Sequence, residues 1–576
     1  MTMTRSLTRR LVAGIAAAGL ALISVPAIAP AASAVDACAP GQTCTGALSG
    51  KLGDTSFQIT MPPKFNGTVL LFSHGYRIAQ PVPAAIGMAL GMDKAPYYSA
   101  TTTPGVGATY TGNGIPQVAP SAESAMALLG QGYALAGAGY ANQGWATAEG
   151  VEAGELLLRY INGGAVKGVK QVYAWGDSLG GSITQSLIQR NPGKIAGSLP
   201  RCGAMEGPEQ AFQTAMTVMF AWKSLVAPTL KVANYAPGAA GYAEAVTDLG
   251  TVFTIINKVA TGEMTVSPVG YPIAQANLLA GLMAGLPTKS PTYDGVTVNP
   301  AVNTLGLGGA IAGGYSPLSA GANSTAAMLQ NVAAAAALGI MGRYDLEQRV
   351  RKIGSLGADQ SANFTDNVPV VYSKLLSPEQ RGEFEGTFTA AGPGVLDAML
   401  GTMDASIGST TARFPANPAA VAIVKALPAP KATYDKPVVL MATTYDPIAP
   451  DGNTYEFYED MVGTAKAKAA AKKGLMKAVA YYTVPPADGY TSFEPGAKSA
   501  SAALSAAALG GSGVGHCTFT AAQDVGTVAA LNSLVKAKTA KAVAAAKKIG
   551  YAIAGVNKDR FYAPSPLKKP LATARG

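Results

Sequence analysis

The chain has 576 residues, 48% of them hydrophobic and 13% charged, with a formal net charge of +10. That balance suits a compact globular protein with a large core, and excludes disordered, collagen-like and coiled-coil chains. Much of the excess lysine lies in the Ala/Lys stretches Lys466 to Lys477 and Lys536 to Lys569, which read as solvated helix faces rather than a nucleic-acid surface. Two histidines and four cysteines leave few ligands for a metal, no phosphate-binding Gly loop is present, and no cofactor is implied.

Met1 to Arg10 is basic, Leu11 to about Pro30 is apolar, and Ala32-Ser33-Ala34 has the small-residue pattern of a cleavage site. These features predict a signal peptide over residues 1–34, cut after Ala34, and a secreted, extracellular protein. Arg9-Arg10 leaves the general and the twin-arginine export routes both open. Removing that leader, with Arg5, Arg9 and Arg10 and no acidic residue, leaves a charge of +7. Pro26 and Pro30 interrupt the apolar run and no later run is long enough to span a bilayer, so no stable membrane anchor is expected. Export meets an oxidising compartment, so the four cysteines predict two disulfides. Cys38 and Cys44 are close enough to staple a small N-terminal loop, which leaves Cys202 and Cys517; the sequence alone does not dictate the pairing.

Short strands are predicted over Ala47 to Leu52, Thr55 to Met61 and Gly67 to Ser73. The last is a continuous apolar run, the pattern of a strand buried on both faces of a mostly parallel sheet. Tyr133 to Tyr140 is a second such strand, followed by a helix over Thr147 to Tyr160. Gln171 to Trp175 leads through Gly176-Asp177-Ser178-Leu179-Gly180-Gly181 into a helix ending near Gln189, and Ile195 to Leu199 is a further strand. Alternating strands and helices predict an α/β fold. From Gly203 to Asp435 the text turns Ala-, Leu- and Met-rich with helical spacing, as in Ala211 to Leu225, Tyr242 to Val259 and Ala326 to Ile340. The sheet resumes at Lys436 to Asp446, with a helix near Tyr455 to Val462, a strand at Ala478 to Val484 and a closing helix over Ala521 to Val535. The expected organisation is a core in two parts, 35–202 and 436–540, a helical cap over 203–435 and a basic C-terminal tail over 541–576.

Gly176-Asp177-Ser178-Leu179-Gly180 fits a nucleophile elbow, in which glycines let a strand turn sharply into a helix and leave the serine hydroxyl exposed. The bare pattern recurs by chance in a glycine-rich chain, so its weight comes from the strand before it and the helix after it. Serine needs a positioned base, and the chain offers only His74 and His516. With His74 as base, the acid would have to be Asp93, which has no strand to place it, or Asp177, which adjoins the nucleophile and points away from it. His516 is therefore the expected base. Asp446 closes an apolar strand and is the expected acid; Glu206 is the alternative, and a plain turn-capping role is the other reading of Asp446.

The order Ser178, Asp446, His516, with a His74-Gly75 loop upstream, resembles the α/β-hydrolase superfamily. The likeness covers about residues 46–202 and 436–540, and the intervening segment stands where that superfamily carries its cap. It implies an oxyanion hole built from the backbone N–H groups of Tyr76 and Leu179, with His74 a structural member of its loop. A Cys202–Cys517 bridge beside the base resembles the tannase and feruloyl esterase group, although that group has a cysteine directly before the serine where this chain has Asp177. The gross order is also similar to secreted tripeptidyl aminopeptidases. The expected activity is hydrolysis of a small-molecule carboxylic ester, apolar or aromatic given the cap's Ala, Leu and Met content. The alternatives are an exopeptidase, with Glu206, Glu209 or Glu244 holding a substrate amine, and a noncatalytic binding protein on the same scaffold.

Overall fold

The computed structural model describes residues 37–93, 96–260, 263–264, 266–284, 338–387, 394–443, 446, 448–483, 516–517, 519–551 and 556–557. The predicted leader, most of the helix expected over Ala326 to Ile340 and most of the C-terminal tail lie outside these residues.

The described chain begins with an antiparallel pair, β1 (Thr43–Ser49) and β2 (Asp54–Thr60), followed by β3 (Thr68–Ser73). A small separate sheet comes next, from β4 (Val82–Pro83), β5 (Tyr98–Thr103) and β6 (Gly107–Gly112). The main sheet continues with β7 (Ala134–Ala138), β8 (Gln171–Asp177), β9 (Gly197–Arg201), β10 (Val438–Thr443), β11 (Ala478–Thr483) and β12 (Val556–Asn557). Its order is β1-β2-β7-β3-β8-β9-β10-β11-β12, parallel from β7 to β11 and antiparallel at both ends. This is an α/β-hydrolase fold: a mostly parallel central sheet covered by helices, with a large, mainly helical insertion between β9 and β10.

The continuous apolar runs form strands because successive side chains leave opposite faces of a sheet that is covered on both. In β3, Val69 and Leu71 pack with Leu157, Ile183 and Leu187 on one side, while Leu70 and Phe72 pack with Leu531 and Leu534 on the other. β1 begins four residues earlier than expected, because its exposed Thr and Ser positions carry no apolar alternation to mark it. The small sheet escapes a sequence reading for the same reason: β5 is a mostly exposed Ser/Thr strand. The helices between β9 and β10 gather a core of their own, including Met216, Phe220, Trp222, Leu249, Leu279 and Met399, which also takes in Ile78 from the loop after β3 and Val82 from β4. Within it the buried Arg413 donates to the carbonyls of Asn367, Val370 and Met403 and lies over Phe220 and Tyr372.

The chain order reverses between β3 and β8, which are neighbours in the sheet. Such a switch point opens a crevice at the carboxyl ends of the strands. Tight backbone contacts nearby leave little slack: a methyl group on Gly137 of β7 would lie 1.8 Å from the carbonyl oxygen of Gln117. Gly137→Ala is expected to cost at least about 1–3 kcal/mol by overpacking. Urea unfolding checks this, and an unchanged midpoint would contradict the tight contact.

Candidate active site

β8 ends at Asp177 and the next helix, Leu179–Arg190, starts two residues later, so Ser178 alone makes the turn, at φ 57° and ψ −127°. A non-glycine residue held there stores roughly 1–3 kcal/mol of strain, which the surroundings must over-determine. They do so at close range. The Ser178 N–H donates to the Arg201 carbonyl of β9 at 3.0 Å. The helix abuts β3 so closely that a Cβ on Gly180 would stand 2.0 Å from the Ser73 carbonyl oxygen, which accounts for glycine at that position of the elbow.

His516 Nε2 lies 2.7 Å from Ser178 Oγ, and His516 Nδ1 lies 2.8 Å from Asp446 Oδ2. A carboxylate only accepts, so Nδ1 carries the proton and Nε2 is left to accept from the serine hydroxyl. Asp446 is fully buried, and its other oxygen accepts the N–H groups of Ile448 and Ala449, both at 2.9 Å. Oδ1 therefore caps a turn while Oδ2 meets the imidazole. Burial disfavours the charged imidazole, but Asp446, through its charge and hydrogen bond, and Asp177, through its charge, outweigh it and raise His516 above the ordinary histidine value. Glu206, the alternative acid, is instead bonded by the Asn453 side chain at 3.0 Å.

His74 is buried, stacks on Tyr140 at 3.7 Å and bonds the Gly75 carbonyl through Nδ1 at 2.8 Å. Burial and the nearby Arg77 hold it well below the ordinary value, so it stays neutral. Its loop passes very close to the elbow, since a Cβ on Gly75 would lie 3.2 Å from Ser178 Cβ.

Both disulfides are present, Cys38–Cys44 and Cys202–Cys517. The second joins the residue after β9 to the residue after His516, and both of its cysteines have positive φ, 39° and 55°. The sulfurs of Cys202 and Cys517 and a nitrogen of His516 lie within 4.8 Å of one another, but sulfurs bonded to each other offer no thiolate to a metal.

Tyr76 and Leu179 line one cavity with Ser178 and His516, about 110 Å³ in volume. Its walls are mostly apolar, with Trp145, Phe212, Met219, Trp222 and Val252 contributed by the loop after β7 and the insertion. Glu206 is the one carboxylate among its described lining residues. Glu209 and Glu244 are not there; they pair with Lys425 and Lys231 at the surface. The sequence reading missed Trp145 and Phe212, for which composition carries no positional signal. It also missed Arg201, which was signalled by a charge at the end of an apolar strand. Among the described residues no helix is long and apolar enough to cross a membrane.

Two outcomes follow from this geometry. If His516 serves as a general base, which works when neutral, its raised pKa should put the acid limb of kcat/KM above ordinary histidine titration. Asp446→Asn removes the largest raising influence, and a pH–rate profile should show that limb moving to lower pH. Cys202→Ser/Cys517→Ser should lower kcat and cost about 2–5 kcal/mol of stability, while Cys38→Ser/Cys44→Ser should leave kcat unchanged; steady-state kinetics beside thermal melts separate the two.

No protein-family model matches the sequence, and no curated protein matches it. Among solved structures, an esterase from Aspergillus oryzae is similar at 13% identity and a TM-score of 0.33, over 76% of this chain and 71% of that one. Feruloyl esterase B from Aspergillus oryzae is similar at 11% identity and a TM-score of 0.31, over 77% and 72%. An arylesterase is similar at 15% identity and a TM-score of 0.18, over 30% of this chain. The matches span 48% of that arylesterase and 64% of an α/β serine hydrolase from Xanthomonas campestris. The α/β-hydrolase fold of this chain rests on its own strand order and on the elbow at Ser178.

Proposed function

We propose that this protein is a secreted serine hydrolase that cleaves a small-molecule carboxylic ester through an acyl-enzyme. The observation that carries the reading is the hydrogen-bonded chain Ser178 Oγ, His516 Nε2, His516 Nδ1, Asp446 Oδ2, with links of 2.7 and 2.8 Å. Its members come from three separate places along the chain, and it opens on an apolar cavity.

In this reading His516 takes the proton of Ser178 Oγ as the oxygen attacks the ester carbonyl carbon, and Asp446 stabilises the imidazolium that forms. The carbonyl oxygen becomes an oxyanion, received by the backbone N–H groups of Tyr76 and Leu179. Leu179 opens a helix, so its N–H is among those without an intrahelical partner. Two preorganised donors of this kind contribute several kcal/mol, because they meet charge that exists only in the transition state. The imidazolium protonates the departing alkoxide, the alcohol leaves, and water activated by His516 releases the acid and restores Ser178. The apolar walls favour an apolar or aromatic ester over a sugar polymer.

A second reading, an exopeptidase, is favoured by one observation. Glu206, held by the Asn453 amide, is a carboxylate of the cavity wall where a substrate ammonium would meet it, whereas Glu209 and Glu244 pair with lysines outside that wall.

The test is active-site labelling of the mature protein with a fluorophosphonate, followed by turnover of short p-nitrophenyl esters and a tripeptide anilide. Ser178→Ala should abolish labelling, and Ser178→Ala or His516→Ala should lower kcat by about 10⁶-fold if the triad acts as a unit. Dominant ester turnover supports the esterase, and dominant anilide turnover the exopeptidase. A folded wild-type protein that does not label is a binding protein on a hydrolase scaffold.

A further inference from the structure

We infer that Arg201 is a positioning residue whose guanidinium holds nucleophile and base in register, by bridging Asp177 beside Ser178 to Asp524 in the helix that follows His516. The inference rests on the hydrolase reading of the site and assigns three residues that reading does not use.

Arg201 ends β9 directly opposite Asp177 in the parallel register with β8. Its side chain is completely buried, and its Nε and Nη2 reach Asp177 Oδ1 at 2.6 and 2.5 Å. Nη1 donates to Asp524 Oδ1. Asp524 lies in the first turn of the closing helix Ala521–Lys536, whose start is fixed by a capping box between Thr520 and Gln523. The guanidinium also lies over the rings of Trp175 in β8 and of Phe519, just before that helix, at 5.2 and 5.0 Å. Asp524 Oδ2 accepts the Ser124 hydroxyl at 2.5 Å, so both oxygens of this carboxylate are engaged.

The backbone repeats the connection. The Arg201 carbonyl accepts the Ser178 N–H at 3.0 Å, and the next residue, Cys202, is joined to Cys517, the neighbour of His516. Side chain, carbonyl and disulfide therefore tie one short segment to the neighbours of both reacting groups. Apolar residues of similar volume would join strand and helix at least as firmly as two buried charges and a partly buried one. What a rigid fork of donors adds is direction. The charge matters as well. His516 is faced by Asp446 at Nδ1 and by Asp177 from the elbow, with Glu206 in the cavity wall, and Arg201 is the cation that balances Asp177.

The test uses the full mature protein and the variants Arg201→Lys, Asp524→Asn and Asp177→Asn. Arg201→Lys keeps the charge but loses the fork, and is expected to lower kcat by roughly 100-fold through misplacement, with KM little changed. Asp177→Asn should move both the acid limb of kcat/KM and the NMR titration of His516 to lower pH. With two histidines in the chain, His516→Gln identifies the signal. Folded Arg201→Lys with wild-type kcat, or an unmoved His516 titration in Asp177→Asn, overturns the inference. Loss of folding in both Arg201→Lys and Asp524→Asn assigns the cluster to stability and also overturns it. The titration needs no turnover: if wild-type protein hydrolyses nothing yet Asp177→Asn shifts His516, the hydrolase reading fails while the electrostatic link holds.

Discussion

A single serine turning between β8 and its helix, in a backbone conformation that side chains disfavour, is the constraint from which the site is organised. Such a turn persists only when its neighbours leave no alternative. Here the helix is pressed against β3, the serine N–H is held by β9, and the loop after β3 runs across the top at contact distance. The tight glycine contacts and the placement of the cavity at the strand ends follow from that closeness.

The second requirement is to bring a histidine from far along the chain to the same point. Asp446 orients the imidazole with one oxygen while its other oxygen rigidifies the turn that carries it. The Cys202–Cys517 bridge holds the His516 segment to the end of β9. Positive φ at Ser178, Cys202 and Cys517 places three strained residues around one point. Strain concentrated in this way is characteristic of preorganised sites.

The central strands were legible because a strand buried on both faces carries a continuous apolar run, as residues 69–72 and 438–442 do. The meeting of Ser178, Asp446 and His516 was legible for a different reason: with two histidines, one of them directly after a buried strand, the choices were few. Edge strands such as Thr43–Ser49 and Tyr98–Thr103 were not, because exposed Ser and Thr positions look alike in a strand and in a loop. The link between Arg201 and Asp524 was hidden more deeply. Its partners are separated by 323 residues, and ion pairing leaves no periodicity along a chain.

The four cysteines pair in the order in which they occur, first with second and third with fourth. If the chain is exported unfolded and oxidised as it emerges, native connectivity follows from joining each new thiol to the one still waiting, without later exchange between bridges. On that route Cys202 would wait through the whole insertion for a partner 315 positions later. The bridge beside His516 would then also report completion, closing only after nearly all of the chain that lines the cavity has emerged.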